Sequence, residues 1–196
     1  MKNVVKRTAI SISLFGETAV GKTNICSTFL GLEFREQHLA TIGIEKMISE
    51  IVIDSGEKLK IKLWDTAGQE RFKSISVKNL RYSQGAVVVF DLTKQESFDK
   101  VTDWLKRIRE ITPNMPIGLF GNKSDLKDLR VVKQEDIDEL CKKEKLEYFE
   151  TSAKLNTGIK EGFTKVATMG FNQDIPEQNK GKKLKDIQMK DKKKKC

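Results

Sequence analysis

Residues Gly16 to Thr23 follow the pattern G-x-x-x-x-G-K-[S/T], which is typical of a loop that binds phosphate groups. The glycines let the backbone curl so that successive amide N–H groups surround anionic oxygens, and the helix that follows adds its positive amino-terminal end. In this pattern Lys22 is expected to contact phosphate oxygens, and the Thr23 hydroxyl is expected to bind Mg²⁺. The pattern alone indicates a nucleoside triphosphate, and an ATPase or a nucleotide kinase fits it equally well.

The spacing of apolar residues predicts an α/β fold. Because predicted strands alternate with predicted helices, we expect right-handed crossovers and a mostly parallel sheet. A hairpin would add one antiparallel edge strand, which gives a six-stranded sheet with flanking helices. Together with the phosphate-loop pattern, this arrangement resembles the P-loop NTPase fold. The second helix is expected to have Ser97 as its N-cap. The predicted strands are 8–15, 44–53, 58–64, 85–90, 116–120 and 147–151, and the predicted helices are 22–30, 97 onward, 134–145 and 159–171.

Further polar segments directly follow predicted strands. They are Asp65–Glu70 (DTAGQE), Gly121–Asp125 (GNKSD) and Glu150–Lys154 (ETSAK). The carboxyl ends of parallel strands meet at one edge of a sheet, and this is where α/β proteins bind their ligands. We therefore expect these segments to gather around the phosphate loop.

Together with the phosphate loop, these segments resemble those of the Ras-like small GTPases. DTAGQERF, GETAVGKT and RFKSI are most similar to the Rab branch, which governs vesicle traffic, and the resemblance covers residues 6–172. It implies a switch that binds GTP or GDP with Mg²⁺ and hydrolyses GTP. The residues that it implies in nucleotide binding are Thr18, Ala19, Val20, Gly21, Lys22, Thr23, Asn24, Phe34, Thr41, Gly68, Asn122, Lys123, Asp125, Ser152, Ala153 and Lys154.

By this resemblance, the base is recognised by two loops. Asp125 would accept hydrogen bonds from N1–H and the 2-amino group of guanine, and the Ala153 N–H would meet O6. Lys123 would lie along the ring, while Asn122 would brace its loop against the phosphate loop. Adenine has no 2-amino group, and sites built on such polar pairing reject the wrong ligand by roughly 10⁴–10⁵. Phe34 would stack on the purine or, alternatively, pack on the body of the domain.

The resemblance also implies how hydrolysis proceeds. Mg²⁺ would be held by Thr23, by Thr41 and, through water, by Asp65. Gln69 would be the catalytic residue that orients the attacking water, and the Gly68 N–H would sense the γ-phosphate. These segments contain no obvious internal arginine finger, so we expect slow unaided hydrolysis and a gain of about 10³–10⁵ from an activating protein's arginine. Loss of the γ-phosphate would release two loops.

The sequence departs from the Rab pattern at Thr18, at Lys46 and between Phe72 and Gly85, where the second switch is a few residues longer than in the family. Thr18 replaces a smaller residue near the γ-phosphate. Lys46 stands where an aromatic residue usually follows the TIG segment, so the effector-facing aromatic cluster around Trp64 is incomplete. A slow-hydrolysing, GTP-bound scaffold is one alternative function, and a member of another Ras-like branch that signals at a membrane is a second.

The basic residues are concentrated at the carboxyl end of the chain. The net charge is +9, of which +7 belongs to residues 180–196, so the preceding part is nearly neutral and we expect no nucleic-acid partner. Residues 1–172 are predicted to form the GTPase domain. Residues 173–196 are predicted to form a disordered basic tail that ends in cysteine.

This tail predicts attachment to membranes. Polylysine is attracted to anionic leaflets by about 1 kcal/mol per charge near the surface, and one lipid chain alone anchors weakly. A lipid on Cys196 beside Lys192–Lys195 would make a two-signal anchor, although Rab proteins usually end in paired cysteines. An unmodified tail is the alternative. We expect a cytoplasmic protein that, when lipidated, binds the cytosolic face of intracellular membranes. The resemblance implies an exchange factor, an activating protein, effectors and GDI-type escort proteins as partners.

Overall fold

A six-stranded sheet organises the part of the chain that the computed structural model describes, residues 8–36, 44–66 and 80–173. Strand β2 is antiparallel to β3, and every other neighbouring pair is parallel. The predicted fold class is confirmed. Across the sheet the order is β2-β3-β1-β4-β5-β6, and the strands are β1 (Ala9–Phe15), β2 (Ile44–Val52), β3 (Lys58–Thr66), β4 (Gly85–Asp91), β5 (Ile117–Asn122) and β6 (Glu147–Glu150).

Helices cover both faces of this sheet, so its central strands are buried on both sides. All seven residues of β4 are buried, as the continuous apolar run GAVVVF predicts. None of the described helices is long and apolar enough to cross a membrane. One face carries α1 (Lys22–Phe29) and α5 (Ile159–Asn172), and the other carries α2 (Gln95–Asp99), α3 (Val101–Ile111) and α4 (Gln134–Glu144); a 3₁₀-helix spans Lys127–Leu129.

The helix predicted to begin at Ser97 is two helices, α2 and α3. Ser97 lies inside α2, and its hydroxyl accepts a hydrogen bond from Asp91 N (2.9 Å) and donates one to Lys94 O (2.7 Å). The prediction of Ser97 as an N-cap is therefore wrong. The hydroxyl satisfies backbone groups at the end of β4 and the start of α2 instead, which is a local alternative that serine side chains often take.

The parallel strands deliver the predicted site segments to one edge of the sheet. Strands β1, β3, β4, β5 and β6 run in the same direction, so their carboxyl ends meet there. The phosphate loop follows β1, Asp65 is near the end of β3, Asn122 ends β5, and Thr151 follows β6. The gathering expected from the sequence is therefore present for the described residues.

An aromatic cluster beneath this edge joins α1, β5 and α5. The Phe163 ring, which is fully buried, lies 4.8 Å from the ring centroid of Phe29 and 5.4 Å from that of Phe120. Such pairs contribute beyond the area that they bury. The cluster thus fixes two helices against the strand that leads into the GNKSD segment.

Truncation of Phe163 should therefore destabilise the whole domain. We expect Phe163→Ala to lower the free energy of unfolding by about 3–5 kcal/mol, because it leaves a cavity among buried rings. Urea unfolding followed by circular dichroism measures this. The control Leu129→Ala, at a side chain that is 61% exposed, should change stability little. Equal losses in both variants would contradict the packing role of Phe163.

Candidate nucleotide-binding site

The phosphate loop between β1 and α1 has the backbone that its glycines predict. Gly16 and Gly21 have φ angles of 138° and 99°, which residues other than glycine rarely adopt. A Cβ at Gly16 would overlap the Val89 carbonyl, and one at Gly21 would overlap the Asn122 amide nitrogen. The loop therefore lies directly against β4 and β5, and glycine is required at both positions.

Lys22 points back into this loop from the first turn of α1. Only 5% of its surface is exposed, and Nζ donates hydrogen bonds to Gly16 O (2.9 Å) and Glu17 O (2.8 Å). Burial lowers the pKa of the ammonium to about 8, partly offset by the negative charge of Asp65. A desolvated ammonium favours an anionic ligand, since the ligand's charge offsets the cost of burial.

Thr23 and Asp65 meet beside Lys22. The Thr23 hydroxyl donates a hydrogen bond of 2.6 Å to Asp65 Oδ2, and Asp65 is fully buried. Hydroxyl and carboxylate oxygens are the ligands that Mg²⁺ takes from proteins, usually together with waters and substrate phosphates. The residues present therefore fit a magnesium ion bound along with a nucleotide.

Asn122 connects the phosphate loop to both candidate base loops. Its Nδ2 donates to Val20 O (2.9 Å), and its Oδ1 accepts from Ala153 N and from the Thr151 hydroxyl (both 3.3 Å). The Thr28 hydroxyl on α1 donates to Ala153 O (3.0 Å). These hydrogen bonds hold the phosphate loop, the GNKSD segment and the ETSAK segment together at the edge of the sheet.

The remaining base-loop residues make contacts of their own. Ser152, which is fully buried, donates from its hydroxyl to Asp125 Oδ1 (2.5 Å). Lys123 Nζ lies 2.6 Å from Asp91 Oδ2. Lys154 forms a solvent-exposed ion pair of 3.4 Å, with Glu36. The side chains of Lys123 and Asp125 thus have defined positions next to Asn122.

The segment after α1 is also tied to the site. Asn24 Nδ2 donates to Arg35 O (3.0 Å). Phe34 is half-buried and packs against the core cluster formed with α1 and α5. This contact corresponds to the alternative in which Phe34 packs on the body of the domain. Its stacking on a purine remains a prediction.

Several predicted site residues lie outside the described part of the chain. They are Thr41, Gly68, Gln69 and Cys196.

Within the phosphate loop, Thr18 is exposed, Ala19 is half-buried and Val20 is buried. Lys46 on β2 places Nζ 5.7 Å from the ring centroid of Trp64, so this lysine covers the ring beside which an aromatic residue was expected.

Sequence reasoning missed two contacts of the site. The Trp104 indole N–H on α3 donates to Glu17 Oε1 in the phosphate loop (3.1 Å), and Asp91 pairs with Lys123. The position of Asp91, directly after an apolar strand run, was a usable signal because a carboxylate there ends at the ligand edge. No comparable signal links Trp104 to Glu17, which are 87 residues apart.

The fold and this loop geometry define a P-loop nucleotide-binding protein. Residues 11–171 match the model of the Ras family. The chain is 42% identical over 159 residues to the GTP-binding protein ypt3 of Schizosaccharomyces pombe, covering 81% of this chain and 74% of that protein. It is 37% identical over 177 residues to the Ras-related protein Rab-13 of Bos taurus, covering 88% and 83%, respectively. It is 41% identical over 162 residues to the Ras-related protein Rab11C of Nicotiana tabacum, covering 82% and 72%.

The chain therefore belongs to the Ras family and is a Rab-like small GTPase that binds guanine nucleotides and hydrolyses GTP. The predicted family and enzymatic activity are confirmed.

Ala19 provides a test of the loop geometry. Its φ of 64° is left-handed, which costs a residue with a Cβ roughly 1–2 kcal/mol. We expect Ala19→Gly to raise the free energy of unfolding by up to about 1 kcal/mol, because glycine adopts this angle without strain but gains entropy when unfolded. Urea unfolding measures the change. The control Ala9→Gly, within β1, should lower stability. A lower stability for Ala19→Gly would contradict the left-handed backbone.

Proposed function

We propose that this GTPase is a Mg²⁺-dependent molecular switch in vesicle and membrane trafficking. The observation that carries the proposal lies at the edge of the sheet, where Asn122 of the first base loop contacts the phosphate loop and the second base loop while Thr23 contacts Asp65. The trafficking role is supported by about 40% identity to Rab and Ypt relatives over most of the chain.

In this proposal the described residues bind and orient the nucleotide. Lys22 and the loop amides of residues 18–21 hold the phosphates, and Asn24 and Phe34 border the nucleotide. Asp125 reads N1–H and the 2-amino group of guanine and is itself oriented by the Ser152 hydroxyl. The Ala153 N–H and Lys154 complete the base pocket. These groups are preorganised by their mutual hydrogen bonds, which reduces the entropy that binding must overcome.

Thr23 and Asp65, the latter through water, would hold the magnesium ion together with Thr41. The ion would neutralise charge on the phosphate oxygens. Thr23 lies in the first turn of α1 and Asp65 near the end of β3, and residues 67–79 follow β3 in the sequence. That segment carries Gly68 and the proposed catalytic residue Gln69. Loss of contacts from Thr41 and Gly68 after hydrolysis would change both loops, and this change would be the signal.

The tail would place the switch on membranes. We propose that residues 173–196 form a disordered basic tail after the GTPase domain of residues 1–172, with lipid on Cys196. The protein would then divide between the cytoplasm and the cytosolic face of intracellular membranes. Exchange factor, activating protein, effectors and GDI-type escort proteins would be its partners.

The first test concerns base recognition. Asp125→Asn should lower affinity for GDP by at least about a hundredfold and shift preference toward xanthosine diphosphate, because the amide replaces an acceptor by a donor. Competition against a fluorescent nucleotide measures both affinities. The control Asp128→Asn, three residues along on an exposed side chain, should leave them unchanged. Unchanged guanine preference in Asp125→Asn would remove Asp125 from the base pocket.

The second test concerns hydrolysis. Gln69→Leu should slow single-turnover hydrolysis of GTP by about tenfold or more, because the side chain can no longer orient water. Gln95→Leu makes the same change at an exposed position on α2 and should have no effect. Equal rates for Gln69→Leu and the unmodified chain would favour the slow-hydrolysing scaffold.

The third test concerns the tail. Cys196→Ser should move the protein from the membrane fraction to the soluble fraction of its own cells, and mass spectrometry should find lipid on Cys196 of the unmodified chain. Cys141→Ser is the matched control: burial raises the pKa of the Cys141 thiol to about 11, so it is a poor nucleophile. Membrane association that survives Cys196→Ser would contradict lipid anchoring at this residue.

A further inference from the structure

The carboxylate of Asp91 is fully buried at the last position of β4, beside the nucleotide-binding edge. Its two oxygens have different partners. Oδ1 accepts hydrogen bonds from Thr93 N (2.9 Å) and from the Thr93 hydroxyl (2.7 Å), while Oδ2 lies 2.6 Å from Lys123 Nζ. A buried carboxylate is stable only when it is paired and hydrogen-bonded, and Lys123 supplies the pairing charge.

Lys123 is unusual for a lysine in an edge loop. Its φ of 68° is left-handed, and its side chain is only 29% exposed. Lysine side chains near a surface normally extend their ammonium into water. Here the ammonium turns inward to Asp91. The register of the sheet explains the approach, because Asp91 on β4 is paired with Asn122 on β5, the residue before Lys123.

This ion pair fixes the Lys123 side chain at the edge of the sheet where the site residues meet. Asn122 on one side is bound to the phosphate loop through Val20 O, and Asp125 on the other side is bound to Ser152. Lys123 thus lies in the sequence between Asn122, which contacts the phosphate loop, and Asp125, which is assigned to the base, and its ammonium is held by Asp91. Holding a flexible side chain in place before binding removes an ordering cost from the complex.

We infer that Asp91 is a positioning residue for nucleotide retention, which holds Lys123 in place as a wall of the base pocket. The inference rests on the nucleotide site proposed above. Asp91 acts through Lys123 and has no direct part in base recognition, so it sets how long any purine nucleotide stays bound. The preference for guanine belongs to Asp125.

The test is the dissociation rate of a fluorescent GDP analogue from the full chain, chased with excess GDP. Asp91→Asn should raise this rate about tenfold, since an amide offers one acceptor oxygen and cannot serve both Thr93 and Lys123. Lys123→Met should raise the rate by at least as much. In the double variant, the Asp91 change should add nothing further, because its only route of action is gone. The matched control is Asp99→Asn on α2, an exposed carboxylate, and should leave the rate unchanged.

A second readout separates positioning from general damage. The ratio of the affinities for GDP and inosine diphosphate should be the same in Asp91→Asn and the unmodified chain, because Asp125 still meets the 2-amino group. The inference would be overturned if Asp91→Asn left the dissociation rate unchanged or abolished the preference for GDP. It would also be overturned if Asp91→Asn raised the rate equally in the unmodified chain and in the Lys123→Met variant. Failure of the proposed site itself gives a different result, namely an unaltered base preference in Asp125→Asn.

A measurement on the unmodified, GDP-loaded chain covers the case in which Asp91→Asn does not fold. Besides the signal of the buried Lys22 ammonium, lysine ¹⁵Nζ NMR should show a second slowly exchanging ammonium that disappears in Lys123→Met, as expected for an ammonium sequestered against a buried carboxylate. A Lys123 ammonium in fast exchange with water would overturn the inference.

Discussion

The site depends most on the side-chain amide of Asn122. One small group donates to the phosphate loop at Val20 O and accepts from Ala153 N and the Thr151 hydroxyl, so it fixes the spacing between the loop for phosphates and the loops for the base. An amide is suited to this position because it carries a donor and an acceptor, whereas a carboxylate could only accept. Since Asn122 is 2% exposed, these bonds form away from competing water.

The layers beneath keep Asn122 in place. Strand β5 has parallel neighbours on both sides, and its residues are buried under helices from both faces of the sheet. The aromatic cluster of Phe29, Phe120 and Phe163 ties α1 and α5 to that strand. Rigid packing of this kind allows residues from distant parts of the sequence to hold a ligand precisely.

Most of the architecture could be predicted from the sequence because it is encoded locally. Strand boundaries were correct within two residues, since alternation of apolar residues and turn residues marks each end. The phosphate loop and GNKSD segment were identifiable because their residue types perform the chemistry. Ser97 was misassigned because its hydroxyl bonds to Asp91 N, a partner that no local pattern specifies. The pairs Asp91–Lys123 and Glu17–Trp104 likewise depend on the tertiary structure, where β4, β5 and α3 come together.

The contact between Trp104 and Glu17 places a fluorescent side chain directly against the phosphate loop. The chain has two tryptophans, and the indole of Trp104 is 6% exposed, lies 5.9 Å from the Phe15 ring and donates to a carboxylate of the phosphate loop. Movement of that carboxylate alters the electric field at the indole, and indole emission responds to such fields. Nucleotide binding is therefore expected to change the intrinsic fluorescence, which can be measured with unlabelled nucleotide. With Trp64 replaced by phenylalanine, the remaining signal would come from this one ring.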